Sequence, residues 1–339
     1  MKKNLIITAL LILFVSACAH EGSKTHNAQP EWVMSESQQY PRSQFLTGVG
    51  EADTMEDART RARAELAKIF SVNIQSTSSD VTAYEQSRVA GISYTTDSLA
   101  VSRDIRSSTE QRLEGVKVPE LWKNPLEQRY YALAILPRQT TTLNLRTDIT
   151  QLDEATSTLI ARTQQSKSLI EKIRLSNETI PLQQKRRVLN KQLQVVSLTG
   201  QSVPSQWPVE KLQLDHAALI ARITITVKAS GLNNKKLQTS VEDTLASQGF
   251  TVIPEGAYQL NVNLDSTALP PQGQWYYEKA NLSISLVGDN KKSLGGHAWD
   301  FKVSSSDPTL TELRVLEQAK KQLQTELQNV LFNMLGSNS

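Results

Sequence analysis

Phe45-Leu46-Thr47-Gly48-Val49-Gly50-Glu51-Ala52, followed at once by Asp53-Thr54-Met55-Glu56-Asp57-Ala58-Arg59-Thr60-Arg61-Ala62-Arg63-Ala64-Glu65-Leu66, decides how the first half of this chain folds. The first eight residues read as a strand that closes on a glycine turn. The rest reads as a helix. Thr54 is placed to cap it, and Asp57 three residues on forms a weaker variant of the capping box. Ala58, Ala62, Leu66 and Ile69 share one face, with Arg59 and Arg63 on the outer side. Small alanines on the inner face predict a helix lying close on a sheet.

The same junction is where a dinucleotide would sit, at a Gly-x-Gly turn between strand and helix. Two features argue against it. Asp53 stands where the third glycine belongs, and Glu51, Asp53, Glu56 and Asp57 crowd the helix start. Acidic residues suit the positive end of a helix dipole but repel a pyrophosphate. The glycines are therefore read as a structural turn.

Further along, Tyr130-Tyr131-Ala132-Leu133-Ala134-Ile135-Leu136 is apolar almost throughout, which predicts a central, buried strand. Val116 and Val118 lead up to Trp122 in a weaker apolar pattern. Between Ser71 and Gly115 the chain is rich in Ser, Thr and charge, and strands or a long hairpin are expected there. Together with Pro30 and Trp32, these stretches resemble the LPP-twenty lipoprotein family over about residues 30–138. That family shows a Trp near the mature start, a glycine-bearing strand, a helix of alanines and arginines, and a closing tyrosine strand. The resemblance implies a lipid-anchored protein of the outer membrane or cell surface, and for some members a place in the flagellar basal body. It carries no catalytic signature.

The amino terminus agrees. Lys2 and Lys3 precede an apolar run from Leu5 to Val15, about half the length of a membrane-spanning helix. Val15-Ser16-Ala17-Cys18 then looks like a bacterial lipobox. This predicts a signal peptide over 1–17, cleavage before Cys18 and acylation of Cys18, which is the chain's one cysteine. An ordinary signal peptide with an incidental cysteine is the alternative. Ala19 to Pro30 is polar and reads as a tether, reaching at most ~40 Å when extended. Ala19 rather than an Asp after the cysteine favours the outer membrane by analogy with enteric-type bacteria. The expected location is thus the periplasmic face of the outer membrane, held by acyl chains on Cys18.

Beyond the tyrosine strand, Leu145, Ile149, Leu152, Thr156, Leu159, Thr163, Ser166, Ile170 and Ile173 step by three and four. They predict a helix from about 139 to 176, roughly 55 Å long. Thr179-Ile180-Pro181 is the expected break, with Pro181 in the first turn of a second helix through Leu189 and Val196. A helical hairpin over 139–200 follows. Its seam is expected to pack on itself or on the neighbouring sheet, with self-association as the alternative. Lys185, Arg186 and Arg187 read as a solvated basic patch, and Pro204 to Pro208 as a linker.

From 209 to 335 the pattern predicts an α+β domain of order β-α-β-β-β-β-α. Alternation at Leu219 to Val227, Tyr258 to Leu264, Ala280 to Leu286 and Trp299 to Val303 gives strands. Leu237, Val241 and Leu245 line one helix. Asp307-Pro308 starts the last, with Asp307 as cap. The topology resembles the small domains that open Tol-type translocation proteins and those of penicillin-binding-protein activator lipoproteins. The overall class is α+β: an N-terminal αβ sheet domain over 31–138, the hairpin, and this C-terminal domain.

Composition limits the chemistry. The 339 residues hold 37 Lys and Arg against 34 Asp and Glu, a net charge of +3, so no nucleic-acid partner is expected. With Cys18 acylated, disulfides, thiolate metal sites and a cysteine nucleophile are excluded. His20 and His26 lie in the tether, His216 precedes a predicted strand, and His297 shares a face with Trp299. No metal-binding, nucleophile-elbow or P-loop spacing occurs. No catalytic residue, cofactor or metal is therefore expected.

One loop-borne aromatic cluster remains: Trp275, Tyr276 and Tyr277, just after Pro270-Pro271-Gln272-Gly273. It is the candidate partner-binding site, because exposed aromatics on loops make strong anchors. Packing into the core at the start of a strand is its alternative. The sequence thus points to a non-enzymatic envelope protein with a protein partner or a homo-oligomeric state. Scaffolding is the leading role, and a regulatory module that activates a periplasmic cell-wall enzyme is the second.

Overall fold

A computed structural model describes residues 28–69, 115–288 and 291–336. The leader, Cys18, most of the tether and the Ser71–Leu113 stretch lie outside the described residues, and so do the expectations attached to them.

The N-terminal unit is a three-stranded antiparallel sheet of order β1-β3-β2, made of β1 (Phe45–Ala52), β2 (Lys117–Lys123) and β3 (Tyr130–Pro137). β3 is central, as its apolar run predicts. Helix α1 (residues 55–69) covers one face through Ala58, Ala62 and Leu66, all fully buried. Thr54 Oγ1 accepts from the Asp57 amide at 3.2 Å, which is the expected cap, and donates to Asp57 Oδ2 at 2.7 Å. On the opposite face Trp32 packs with Trp122, Leu133 and Ile135, and its indole N–H donates to Glu120.

Two helices of 28 residues follow, α2 (Arg138–Gln165) and α3 (Leu169–Val196), each about 42 Å long. The hairpin turns at Ser166–Ser168, not at Thr179–Pro181. Ser168 accepts from the Glu171 amide at 3.3 Å, and Ser166 Oγ donates to the Glu171 carboxylate at 2.8 Å. This is the Ser-x-x-Glu start signal, and it overrides the seam that continues through Ile170 and Ile173. Pro181 lies inside α3.

The segment after α3 runs back along it. Val203 donates to Asn190 Oδ1 at 2.8 Å, Ser205 Oγ to Gln183 Oε1 at 3.0 Å, and α4 (Val209–Ile220) packs Val209 and Leu212 on Ile180. Hence Pro204 to Pro208 is bound along the hairpin and is not a free linker. Leu219 and Ala221, expected in a strand, are in α4 and at its end.

The C-terminal unit has a five-stranded sheet of order β5-β4-β6-β7-β8. Its elements are β4 (Thr224–Gly231), α5 (Asn234–Ser247), β5 (Thr251–Val252), β6 (Tyr258–Gln272), β7 (Trp275–Gly288), β8 (Ser293–Ser305) and α6 (Thr311–Gly336). This is the predicted β-α-β-β-β-β-α order. Leu260, Val262, Leu264, Leu282, Ile284 and Leu286 bury one sheet face beneath α5 and α6. The other face is polar, carrying Asn261, Asn263, Asn281, Ser283 and Asp300.

The hairpin ties the two units together. At its base, the Arg138 guanidinium donates to Arg42 O at 2.7 Å and to Val196 O at 2.6 Å, clasping the start of α2 to the end of α3. At its tip, Ile173 enters the C-terminal core, with Leu169 and Ile170 beside it. The α2 seam of Thr141, Leu145, Ile149 and Thr156 is buried. Packing on α3, not self-association, occupies it.

Candidate functional site

Gly48 and Gly50 face α1. A Cβ on Gly48 would stand 2.8 Å from Ala62 O, and one on Gly50 would stand 2.3 Å from Ala58 O. The space that a phosphate needs above a glycine turn is filled by helix backbone. The expected glycine turn is not formed: both glycines lie within β1, opposite Ala134 and Ala132 of β3, and the pair serves close strand–helix packing.

The histidines follow from their elements. His216 is buried on α4, where its Nδ1 meets Ser176 Oγ at 2.7 Å. A serine hydroxyl beside an imidazole suggests an activated nucleophile. Here the hydroxyl donates to Ile173 O at 2.8 Å, one helical turn back. Having one proton to give, Ser176 accepts from His216, and the contact joins α4 to α3. His297 sits exposed on edge strand β8, edge-on to Trp299 with centroids 4.6 Å apart.

The expected solvated basic patch divides three ways. Arg186 is buried. Its Nε donates to Asp153 Oδ1 at 2.7 Å, and its Nη2 to the carbonyls of Val203 (3.1 Å) and Pro204 (2.9 Å). Gln183 joins the cluster, donating to Asp153 Oδ1 and to Thr156 Oγ1. Arg187 pairs with Glu210 on α4. Lys185 lines a cleft of about 810 Å³ between α2, α3 and the end of β3, with Thr140, Asn144, Thr147 and Gln151. Among its described lining residues the cleft has one carboxylate, Asp148, and no histidine, so no acid–base pair converges there.

The ionisable groups that do shift are local in cause. Burial, with Glu51 and Glu127 adding to it, raises the Tyr131 phenol above its ordinary value. Burial lowers the Arg138 guanidinium. Hydrogen bonds from the Thr309 hydroxyl and amide hold the Asp307 carboxyl below its usual range. These three are a tyrosine near the start of the central strand β3, a clasp and a helix cap, in separate places. No group of His, Cys, Asp and Glu fit to hold a metal occurs among the described residues, and none of the described helices is long and apolar enough to cross a membrane.

The aromatic cluster sits at the outer end of the β6–β7 hairpin. The two strands pair from Tyr258 opposite Gly288 out to Gln272 opposite Trp275, with an irregularity between Leu269 and Gln272. Gly273 turns the chain with φ of +62°, a left-handed conformation that suits glycine. The hairpin overshoots the buried sheet, leaving Trp275 48% and Tyr276 39% exposed. Tyr277 is partly covered, with Lys302 Nζ 4.1 Å from its ring centroid. The first two are thus surface groups at the end of a paired ribbon, and core packing does not account for them.

These surfaces and this architecture define an α+β protein of two sheet units on a helical spacer. Residues 30–137, about a third of the chain, match the model described as LPP20 lipoprotein, so this N-terminal part is similar to that family. Its solved neighbours include the secreted protein HP1454 from Helicobacter pylori, at 15% identity and a TM-score of 0.35 over 83% of this chain and 95% of that one. A minor lipoprotein from Acinetobacter baumannii aligns at 10% identity and a TM-score of 0.26, over 31% of this chain and 93% of its own. Lipoprotein GNA1162 from Neisseria meningitidis does so at 12% and 0.22, over 29% and 96%. No curated protein matches the chain.

Proposed function

We propose that the chain is a lipid-anchored protein with a non-enzymatic scaffolding or assembly role. Acyl chains on Cys18 hold it at the periplasmic face of the outer membrane, and the flagellar basal body is one assembly it would serve. The supporting observation is the doubly fixed spacer. Arg138 bonds its base to Arg42 O in the N-terminal unit, and Ile173 sets its tip in the C-terminal core. A rod of about 42 Å locked at both ends holds two surfaces at a set distance, which is what a scaffold needs and what catalysis does not. One buried acyl chain gives only marginal membrane binding, so several chains on one cysteine are what make such an anchor lasting.

The test is to solubilise envelopes gently and size the assembly that contains the full chain. A scaffold migrates in a multi-copy or multi-protein assembly that persists through purification. A chain that runs alone at every detergent and salt condition contradicts the role.

The exposure of Trp275 and Tyr276 favours a second reading, a module that docks on and regulates a periplasmic cell-wall enzyme. There Trp275→Ala in the full chain removes a single stoichiometric enzyme partner from the pull-down while leaving the fold intact.

A further inference from the structure

We infer that the outer edge of β8 is a self-pairing surface, and that two copies of this chain join there as antiparallel strands, making one continuous sheet. The inference deepens the scaffolding role above and rests on it only for its purpose; the β8 edge carries the geometry.

β8 ends the sheet order, and among the described residues β7 is the one strand paired with it; one main-chain oxygen near its end, that of Ser304, accepts from the Arg314 guanidinium. The register there is unbroken, from Tyr276 opposite Ser305 to Leu286 opposite Gly295. A long regular edge is a template for another strand, and proteins usually blunt it. Here Lys302 stands on the open face, but Asp300 stands two residues before it, on the same face. Asp300 accepts from Asn281 Nδ2 at 3.1 Å, and Lys302 lies over Tyr277. Both remain exposed.

That spacing is self-complementary. When two β8 strands pair with Phe301 opposite the second copy's Phe301, each Asp300 faces a Lys302 of the other copy. Trp299 then faces Val303 across the helix-covered side. Moving the centre to Asp300 sets two carboxylates directly opposite, which is unfavourable. Moving it to Trp299 leaves Asp300 facing Ala298 and Lys302 facing Gly296. Only the Phe301-centred register satisfies both charges. The helices agree with it. α6 packs over β8 and β7, so the two α6 helices of a pair would lie about two strand spacings apart. That is about 10 Å, the ordinary distance of packed helices.

The experiment is sedimentation velocity on the detergent-solubilised full chain, wild type beside Asp300→Lys, Lys302→Asp and the double exchange. Self-association of the wild type, weakening by about tenfold in each single variant and recovery in the double, is the expected pattern. A second readout needs no charge change. In a Cys18→Ser background, Phe301→Cys should form an intermolecular disulfide and Ala298→Cys should not, because only residue 301 faces itself within disulfide reach. A wild type that stays monomeric up to about 100 μM overturns the proposal. So does association indifferent to both charge variants; in that case the scaffold reading stands and a different surface serves it.

Discussion

Gly50 lies against the backbone of Ala62: a Cβ added to Gly50 would come within 2.2 Å of the Ala62 nitrogen. The obstacle is main chain, so no rotamer change relieves it. Gly50→Ala should therefore push α1 off the sheet and cost about 3 kcal/mol or more, at the upper end of overpacking effects. Ala62→Gly should not rescue it, because the nitrogen remains in place. Thermal unfolding of the single and double variants tests this, and rescue by Ala62→Gly would refute the backbone contact.

Arg186 holds three acceptors that lie far apart in sequence, Asp153, Val203 and Pro204. Arg186→Met leaves a carboxylate and two carbonyls without this donor, and should destabilise the chain by about 3 kcal/mol. The loss should appear first as faster amide exchange along 203–209, the segment that loses its hold. Arg187→Met, at a more exposed pair, should cost under about 1 kcal/mol.

Asp307 caps the turn that leads into α6, accepting from the Thr309 amide at 2.8 Å. Its folded pKa is below the ordinary carboxylate value. The stabilisation is thus present above that ordinary value and is lost as pH falls through the folded one. Asp307→Asn keeps an acceptor but removes the charge. Amide exchange at the start of α6 should accelerate in acid for the wild type and show a flatter pH dependence for the variant.

Much of this fold is written in periodicities that a single element satisfies by itself. The strand and alanine helix at 45–66, the tyrosine strand and the alternating C-terminal strands each carry one clear apolar period. What was illegible depended on competition between signals. The α2 seam runs on past Ser166 by spacing alone, while the capping pair Ser168 and Glu171 ends it. Pro181 resembles a helix start but is held inside α3 by packing. Leu219, Ala221 and Ile223 alternate like a strand, which masks the end of helix α4. Val209, Leu212, His216 and Ile220, at steps of three and four, were the signal that places it.

The candidate surfaces were legible to different depths. Trp275 and Tyr276 stand out by composition, but their exposure depends on how far the β6–β7 hairpin overshoots the helices, which is a tertiary fact. The burial of Arg186 was hidden for a similar reason. A basic triplet on a helix looks solvated until a returning segment covers it. The pairing capacity of β8 arises only once the sheet order leaves that strand at an edge.

The central claim is that Cys18 carries the anchor. Membrane fractionation of cells producing the full chain, wild type beside Cys18→Ala, addresses it most directly. The wild type should be found in the outer-membrane fraction. Cys18→Ala should appear soluble or held at the inner membrane with its leader uncut, because removing the sulfur removes both acylation and the processing that follows it. A Cys18→Ala chain still found in the outer membrane at the wild-type level would contradict the account.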